Sequence, residues 1–375
     1  MKKILIDVNS IILRQGKTHL SGIGRSTLDL LTALAKLKKI PFQILLFYQG
    51  SNFKALESYN LPFPVLYIPL PSSSKYVKLI SQLRLKELLS CYDLLHIPHN
   101  YSAVAKPEKT LVTIHDAMFF SYPESFLGHT SAKKNYPVLA KACKGIITCS
   151  VSSKRDIVQY MPVSEDKVTV AHWGVSKELF YPETDDQIAS VKEKYQLRRP
   201  FFIMVSCDIG RKNTISLLRA FRLYKEKGGK YDLVLVWGNP PIDYLDEFAD
   251  LINEKRVFFL KHLSEVDLRG LYSGAIASFF PSKYEGFGLP VLESMACGTP
   301  VVTCRNSSLE EVGGKMAFYT EPDDLDMMAK YMINFESEKY DLLKMKQQLL
   351  NYSDDFSWEK TALAYVEFYK KHLGL

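Results

Sequence analysis

The stretch that decides the fold is residues 281–302, PSKYEGFGLPVLESMACGTPVV. It follows a short apolar run that ends at Phe280, and it holds a glycine-rich turn before a segment of helical period. Pro290 suits the first turn of that helix, because an N–H there would have no intrahelical partner. A strand, a glycine turn and a helix N-terminus in this order predict a site for an anionic group such as a phosphate.

Two glycines and two glutamates give this turn its chemistry. Gly286 and Gly288 allow a ligand to approach the backbone closely. Glu285 precedes the turn and Glu293 lies within the helix, so the two carboxylates can address different parts of one extended ligand. For a short string standing alone, solvated surface charges would explain both glutamates equally well.

Outward from this stretch, short β-branched runs alternate with stretches of helical period, which is typical of a parallel sheet with crossover helices. Strands are predicted from Ile4–Val8 to Val168–Ala171 in the first half and from Phe201–Ser206 to Val301–Thr303 in the second. We therefore expect an α/β protein with two Rossmann-like, doubly wound domains that face each other across a cleft. Ligands are expected at the C-terminal ends of the strands.

The domain limits follow from length and composition. At 375 residues the chain is too long for one ordinary core. An acidic, Pro-containing stretch separates the two series of strands and predicts a linker at 179–200. The predicted domains are residues 1–178 and 179–355, and a C-terminal helix within 356–375 is expected to pack back on the N-terminal domain.

Cysteine usage and hydropathy bear on the compartment. The six cysteines are far apart, with no Cys/His ligand spacing, which favours buried thiols in a reducing compartment. Asp7 and Asn9 interrupt the apolar run of the N-terminus too early for a signal peptide. No run of about 18 apolar residues occurs. The sequence predicts a cytoplasmic protein.

The charge of the chain is unevenly distributed. Residues 1–178 carry 23 Lys and Arg against 12 Asp and Glu, and the remainder carries 25 against 29. This is either ordinary solubility charge or a sign that the first half meets anionic phospholipid or a lipid-phosphate acceptor. Residues 74–86 can form a helix with an apolar stripe, suited either to its own sheet or to an anionic membrane. No nucleic acid is expected, because no dense basic run is interleaved with aromatics.

The stretch 281–302 resembles the signature of the family-4 glycosyltransferases, retaining enzymes of the GT-B fold, almost letter for letter. The resemblance implies that Glu285 is catalytic and binds hydroxyls of a donor sugar. It also implies that Glu293 binds the ribose of a nucleotide-sugar donor. The backbone of the intervening turn is expected to hold sugar and phosphate, which adds four donor-binding residues: Gly286, Phe287, Gly288 and Leu289.

Two further segments resemble the donor-binding parts of that family. Gly22 and Gly24, before the first long helix, resemble its N-terminal glycine loop, although Ser21 stands where the family often has glycine. A plain turn would explain them equally well. Arg211 and Lys212 resemble the basic pair that neutralises the donor diphosphate, and Lys212 is also expected to be catalytic. Many relatives have an arginine several residues earlier, where this chain has none.

His115 resembles the acceptor-side histidine of the family and is the third expected catalytic residue. It follows a predicted strand and precedes Asp116, so the pair could also serve only the hydrogen bonds of its own loop. The segment 98–100, Pro-His-Asn, ends the neighbouring strand and is a candidate for the acceptor pocket.

The resemblance implies a retaining glycosyltransferase that moves a hexose, with mannose a candidate, from a nucleotide-sugar to a glycan or lipid-linked acceptor. No metal and no other cofactor are expected, because no Asp-x-Asp motif is placed to hold a diphosphate-bound cation. Two alternatives stay open: a nucleotide-sugar epimerase or phosphorylase on the same fold, and a non-catalytic nucleotide- or glycan-binding module. Donor base, acceptor and oligomeric state leave no signature in the sequence.

Overall fold

The computed structural model of the protein describes residues 1–12, 20–69, 91–98, 104–122, 129–208 and 210–375. The chain folds as two units. The first contains Met1–Gly174 together with Trp358–Leu375, and the second contains Val175–Ser357. This division falls at 174 and 357, whereas the sequence predicts domain limits at 178 and 355.

The first unit is built on a parallel sheet. Its strands pair in the order β3-β2-β1-β4-β5-β6-β7, with all pairs parallel. Several of them are buried along their whole length, as expected where both faces of a parallel sheet are covered. The strands described are β1 (Lys3–Asp7), β2 (Gln43–Gly50), β3 (Val65–Pro69), β4 (Leu94–Ile97), β5 (Thr110–Thr113), β6 (Gly145–Thr148) and β7 (Val168–Val170).

Helices connect these strands, and side-chain caps fix where several of them begin. Ser21 and Ser150 each accept a backbone N–H of the first helical turn that would otherwise have no partner. The α-helices described between β1 and β7 are α1 (Gly22–Lys36), α2 (Phe53–Glu57), α3 (Met118–Ser121), α4 (His129–Ala142) and α5 (Val151–Tyr160). Short 3₁₀ turns lie at Asn9–Ile11, Pro107–Lys109 and Glu165–Lys167.

The second unit repeats the architecture. Its sheet has the order β10-β9-β8-β11-β12-β13, again with parallel pairs. Because the order reverses between β8 and β11, a crevice is expected beyond their C-terminal ends. The strands are β8 (Phe201–Val205), β9 (Asp232–Val236), β10 (Val257–Leu260), β11 (Ala277–Phe280), β12 (Val301–Cys304) and β13 (Phe318–Thr320).

The helices of the second unit cover both faces of this sheet. They are α6 (Asp185–Lys194), α7 (Thr214–Glu226), α8 (Ile242–Glu247), α9 (Ala249–Asn253), α10 (Glu265–Gly274), α11 (Leu289–Ala296), α12 (Leu309–Gly313), α13 (Leu325–Glu336) and α14 (Leu342–Ser353).

Helix α6 lies within the stretch 179–200 that the sequence predicts as a linker. It packs against α10, where Val191 is buried beside Gly270 and Lys194 lies 2.7 Å from the carboxylate of Asp267. Arg269 donates to the carboxylate of Glu183 in the same region. The stretch is therefore a packed part of the second unit.

The last helix, α15 (Trp358–Leu373), belongs to the first unit. Its apolar face enters the core formed by β1, β2 and α1. A buried polar chain adds to this packing: the hydroxyl of Tyr369 lies 2.7 Å from His96 Nδ1, and His96 Nε2 lies 2.9 Å from Thr113 Oγ1. The chain thus returns to its first sheet after the second unit is complete.

Helices long and apolar enough to cross a bilayer are absent from the described part of the chain. The segment 74–86, which the sequence singles out as a helix with an apolar stripe, lies outside the described residues.

The start of α1 shows why one glycine of the Gly22/Gly24 pair is required. A Cβ on Gly24 would overlap the carbonyl oxygen of Ser10, whereas a Cβ on Gly22 would meet nothing within 4 Å. Ser21 accepts the Gly24 N–H at 3.1 Å and fixes the helix start there. Close packing of α1 on the turn after β1 therefore explains Gly24 and leaves Gly22 unconstrained.

Gly24→Ala should destabilise the protein by about 1–3 kcal/mol, because a rigid backbone oxygen must move to admit the methyl group. Gly22→Ala is the matched control and should leave the free energy of unfolding unchanged or slightly raised. Urea unfolding of both variants measures this. Equal losses for the two variants would contradict the packing account of Gly24.

Candidate active site

Two loops meet at the C-terminal edge of the second sheet. One follows β8 and contains Arg211 and Lys212, and the other follows β11 and contains Glu285. Because β8 and β11 are neighbours, the loops lie side by side, and the Lys283 N–H donates to the carbonyl of Arg211 at 2.8 Å. Residues about 73 positions apart in the chain are thus brought into one cluster.

The carboxylate of Glu285 lies between two cations. Its Oε2 is 2.8 Å from Arg211 Nη1, and its Oε1 is 2.7 Å from Lys212 Nζ. All three side chains are largely buried, with Glu285 only 8% exposed. A buried ion pair of this kind costs more free energy to break than a surface ion pair, because removal of one partner leaves a buried charge uncompensated.

The pKa of Glu285 reflects two opposing effects. Burial raises it, but the charges of Lys212 and then Arg211 lower it by more, so that the pKa lies below its ordinary value of 4.5. The side chain is therefore a carboxylate at neutral pH. It can accept hydrogen bonds from hydroxyl groups, and it cannot serve as a general acid there.

Contacts within the loops position the two cations. Arg211 Nη1 donates to the carbonyl of Tyr284 at 2.7 Å, and Lys212 Nζ lies over the ring of Phe280, 4.7 Å from its centroid. Asp208 Oδ1 accepts the Lys212 N–H at 3.2 Å, and burial raises the pKa of this carboxyl. Sequence reasoning noted only the absence of arginine near Asp208 and missed this role.

The glycine-rich turn leads directly into helix α11. Gly288 caps the helix with φ of +104°, and a Cβ there would lie 2.9 Å from Leu309. Glycine is required at this position on both counts. Phe287 is buried, Gly286 is half-buried, and Leu289 is the first helical residue, so the helix N-terminus opens beside Glu285.

Side chains of the loop after β12 hydrogen-bond to the backbone of this turn, and the sequence analysis did not predict these contacts. Ser308 Oγ lies 2.9 Å from the carbonyls of both Glu285 and Phe287, and Ser307 Oγ accepts the Glu285 N–H at 3.0 Å. Asn306 Nδ2 donates to the carbonyl of Ser282 at 3.2 Å. Asn and Ser are ordinary turn residues, so their types alone carry no signal of these contacts.

Glu293 lies on the second turn of α11. The hydroxyl of Tyr272 donates to its Oε2 at 3.1 Å, and Tyr272 is completely buried. Burial, followed by the charge of Glu293, raises the pKa of Tyr272 well above its ordinary value, so the tyrosine remains a donor. This bond orients one oxygen of Glu293 and leaves acceptor capacity on a half-buried carboxylate.

The remaining predicted site residues lie in the first unit. His115 follows β5, and its Nε2 lies 3.1 Å from the carbonyl of Pro98, which follows β4. Since a carbonyl only accepts, Nε2 carries the proton. Thr27 of α1, one turn after Gly24, also approaches the Pro98 carbonyl, at 3.5 Å. The ring of Trp173 meets His115 edge-on at 5.3 Å, a contact that sequence reasoning did not find.

The structure thus gathers the predicted residues into two groups. Arg211, Lys212, Glu285 and the turn to Leu289 form one cluster in the second unit, with Glu293 on the helix that follows. Gly22, Gly24 and His115 lie at the C-terminal edge of the first sheet. His99 and Asn100, candidates for the acceptor pocket, lie outside the described residues.

Two protein families match the chain, one for each half. Residues 20–179 match the family described as Glycosyltransferase Family 4, and residues 185–354 match Glycosyl transferases group 1. Together these matches span every described strand except β1 and every site residue named above.

Curated relatives agree with these matches. The O-antigen chain mannosyltransferase B of Escherichia coli is 27% identical over 94% of this chain and 97% of its own. The O-antigen chain mannosyltransferase RfbU of Salmonella typhimurium is 29% identical over 64% of this chain and 68% of its own.

Solved structures share the fold. Anabaena Alr3699/HepE in complex with UDP and glucose has a TM-score of 0.74 at 19% identity and covers 99% of this chain and 100% of its own. A glycosyltransferase from Rickettsia africae has a TM-score of 0.72 at 20% identity and covers 99% and 98%. The chain is a glycosyltransferase with two Rossmann-like domains, the GT-B fold. It belongs to family 4 of these enzymes, and an epimerase, a phosphorylase or a non-catalytic module is not favoured.

Glu285→Gln should lower sugar transfer by about 10²–10³, the scale of one lost electrostatic contact to the reacting sugar. The same change should leave the affinity for free nucleoside diphosphate equal or higher, because it removes a negative charge that competes for Arg211 and Lys212. Calorimetry with GDP and UDP measures binding. Glu254→Gln, an exposed glutamate of the same unit, is the control. Near wild-type transfer, or a tenfold loss of diphosphate affinity, would contradict the assignment of Glu285 to the sugar.

Proposed function

We propose that the protein transfers a hexose, with mannose from GDP-mannose as the first candidate, to a glycan or lipid-linked acceptor with retention of anomeric configuration. The observation that carries this proposal is the buried, ionised Glu285 between Lys212 and Arg211, beside a glycine turn at a helix N-terminus. The mannosyltransferase relatives support the choice of sugar, and UDP-sugars are the second candidate.

The donor diphosphate is assigned to the cations and to the helix N-terminus. Lys212 and Arg211 both contact the carboxylate of Glu285, so an entering diphosphate adds a second anion to a site where two cations are already positioned. Backbone N–H groups at the start of α11 add a positive dipole end. These groups stabilise the charge that grows on the leaving diphosphate as the sugar departs.

The sugar and the ribose are assigned to the two glutamates. Glu285, which is ionised and almost fully buried, accepts hydrogen bonds from sugar hydroxyls beside the phosphate site. Glu293 accepts hydrogen bonds from the ribose hydroxyls, while the hydroxyl of Tyr272 donates to its Oε2 and orients the carboxylate. The glycine turn and the first turns of α11 connect the two carboxylates, so one continuous segment binds both the nucleotide and the sugar.

Metal independence is part of the proposal. In the described ranges no three His, Cys, Asp or Glu side chains are grouped so as to hold a metal ion. Two cations and a helix N-terminus at the diphosphate can supply the charge stabilisation that a divalent ion provides in other enzymes. Rates in excess chelator test this part.

The acceptor is assigned to the first unit, with His115 supporting the reacting sugar. Its Nε2–H is directed to the Pro98 carbonyl, which fixes the ring and its tautomer. In retaining transfer the acceptor hydroxyl gives its proton to an oxygen of the departing phosphate, so His115 is not required as a base. An inverting reaction would instead need a base on the face opposite the leaving group.

We also propose a cytoplasmic enzyme that contacts anionic membrane peripherally. The support is the excess of basic residues in the first half of the chain. The segment 74–86 lies outside the described residues and contributes no support here.

NMR of the anomeric proton of the product, with and without EDTA, tests both stereochemistry and metal use. Retention is expected, at a rate that excess EDTA does not change. His115→Ala should slow the reaction without changing the linkage, because His115 supports the sugar and does not act as a base. An inverted linkage would overturn the retaining assignment, and a chelator-sensitive rate would overturn the account of leaving-group stabilisation alone.

A further inference from the structure

Among the described residues of the first unit, the net charge is segregated to one edge of the sheet. This edge comprises the segments that lead into the seven strands, the first residue of each strand, and the last turn of each helix. Its described residues include thirteen lysines, no arginine and five acidic side chains, a net charge of +8. We call this set the lysine edge; members used below are Lys39, Lys109, Lys141, Lys144, Lys167 and Lys371.

The remaining described charges of the first unit cancel. They consist of six basic and six acidic residues. The net positive charge of the unit, as far as it is described, is therefore confined to the N-terminal ends of the strands. In a parallel sheet these ends lie opposite the C-terminal edge, where His115 is located.

Contacts show that the members of the lysine edge are neighbours in space. Lys167 Nζ donates to the carbonyl of Lys141 at 2.7 Å, and Lys371 Nζ donates to the carbonyl of Asp166 at 3.3 Å. The Lys144 N–H donates to the carbonyl of Thr110, which follows Lys109. The last turn of α15 joins this group, because His372 packs against Gly145.

Most of these ammonium groups have no described carboxylate in ion-pair contact, although on the same edge Lys2 pairs with Asp93, Lys370 pairs with Glu367, and the charge of Lys371 acts on Asp166. Lys141, Lys144, Lys167 and Lys371 form no ion pair with any carboxylate in the described part of the chain, and the bonds of Lys167 and Lys371 go to neutral carbonyls. Burial, followed by the charges of Lys371 and Lys144, lowers the pKa of His372 to about 4, so this histidine is neutral at physiological pH.

Helix dipoles do not account for the pattern. Cations are favoured in the last turn of a helix, and seven of the thirteen lysines stand in the last turn of an α-helix or a 3₁₀ helix. That preference alone would give the second unit the same excess. The second unit has the same architecture, and the same positions there carry ten basic and eleven acidic residues. Several of those cations are paired, for example Arg256 and Arg199 with Asp232. The excess is thus particular to the first unit.

We propose that the lysine edge binds the surface of a membrane rich in anionic phospholipid. Seven strands spaced about 4.8 Å apart make an edge roughly 29 Å wide, which suits a broad surface better than a compact ligand. The ammonium group of lysine is a compact charge on a flexible side chain, which suits a surface of mobile anionic headgroups. Bidentate binding of a single phosphate instead favours the planar guanidinium of arginine. This inference names a surface for the peripheral contact proposed above and depends on no step of sugar transfer.

Co-sedimentation with vesicles tests the proposal on the full chain. Phosphatidylcholine vesicles with about 30 mol% phosphatidylserine should bind the protein at about 0.05 M salt and release it at about 0.5 M, and pure phosphatidylcholine should not bind it. The variant Lys39→Glu, Lys109→Glu, Lys144→Glu should lose binding about 100-fold or more, since each lysine contributes about fivefold.

The second unit supplies the matched control. Arg198→Glu, Lys230→Glu, Lys255→Glu changes three exposed cations at the equivalent edge by the same net charge and should bind like the wild type. Both variants should retain the circular dichroism spectrum and the urea unfolding midpoint of the wild type, which report an intact fold. Wild-type binding by the lysine-edge variant, or equal losses for both variants, would overturn the proposal. Absence of wild-type binding to anionic vesicles would overturn it too and leave an acidic protein as the partner to seek.

Discussion

The candidate site depends on one interaction, the buried contact of the Glu285 carboxylate with Lys212 and Arg211. Burial alone would favour a neutral, protonated Glu285, and the two cations reverse that preference. The same contact offsets the repulsion between the two buried cations. It therefore holds the groups assigned to sugar and to diphosphate in one place before either arrives, so less ordering remains to be done on binding.

The rest of the second unit positions this contact. The neighbouring strands β8 and β11 bring the two loops together, Gly288 permits the turn, and the 306–308 loop bonds to its backbone. These last contacts use side chains of one loop and backbone atoms of the other, and they act together with the burial of Phe287 to hold the shape of the turn.

The sequence predicted much of this because the motif is long and local. Strand, glycine turn and helix lie within 281–302, and Lys212 and Glu285 were both assigned to the site. Their direct ion pair was not predicted, because a sequence does not state which opposite charges meet. The 306–308 loop gave no signal, since Asn and Ser are common in turns. Strand β13 was not among the predicted strands of the second half, which ended at Val301–Thr303.

The most direct test is the pKa of Glu285, followed by carbon-13 NMR of its carboxyl group in the ligand-free protein. The account predicts a carboxylate that stays ionised from pH 8 down to its ordinary pKa of 4.5. Lys212→Met should raise this pKa, because burial then acts against a single remaining cation. A wild-type pKa above 4.5, or one that Lys212→Met leaves unchanged, would contradict the claim that the cations hold Glu285 ionised.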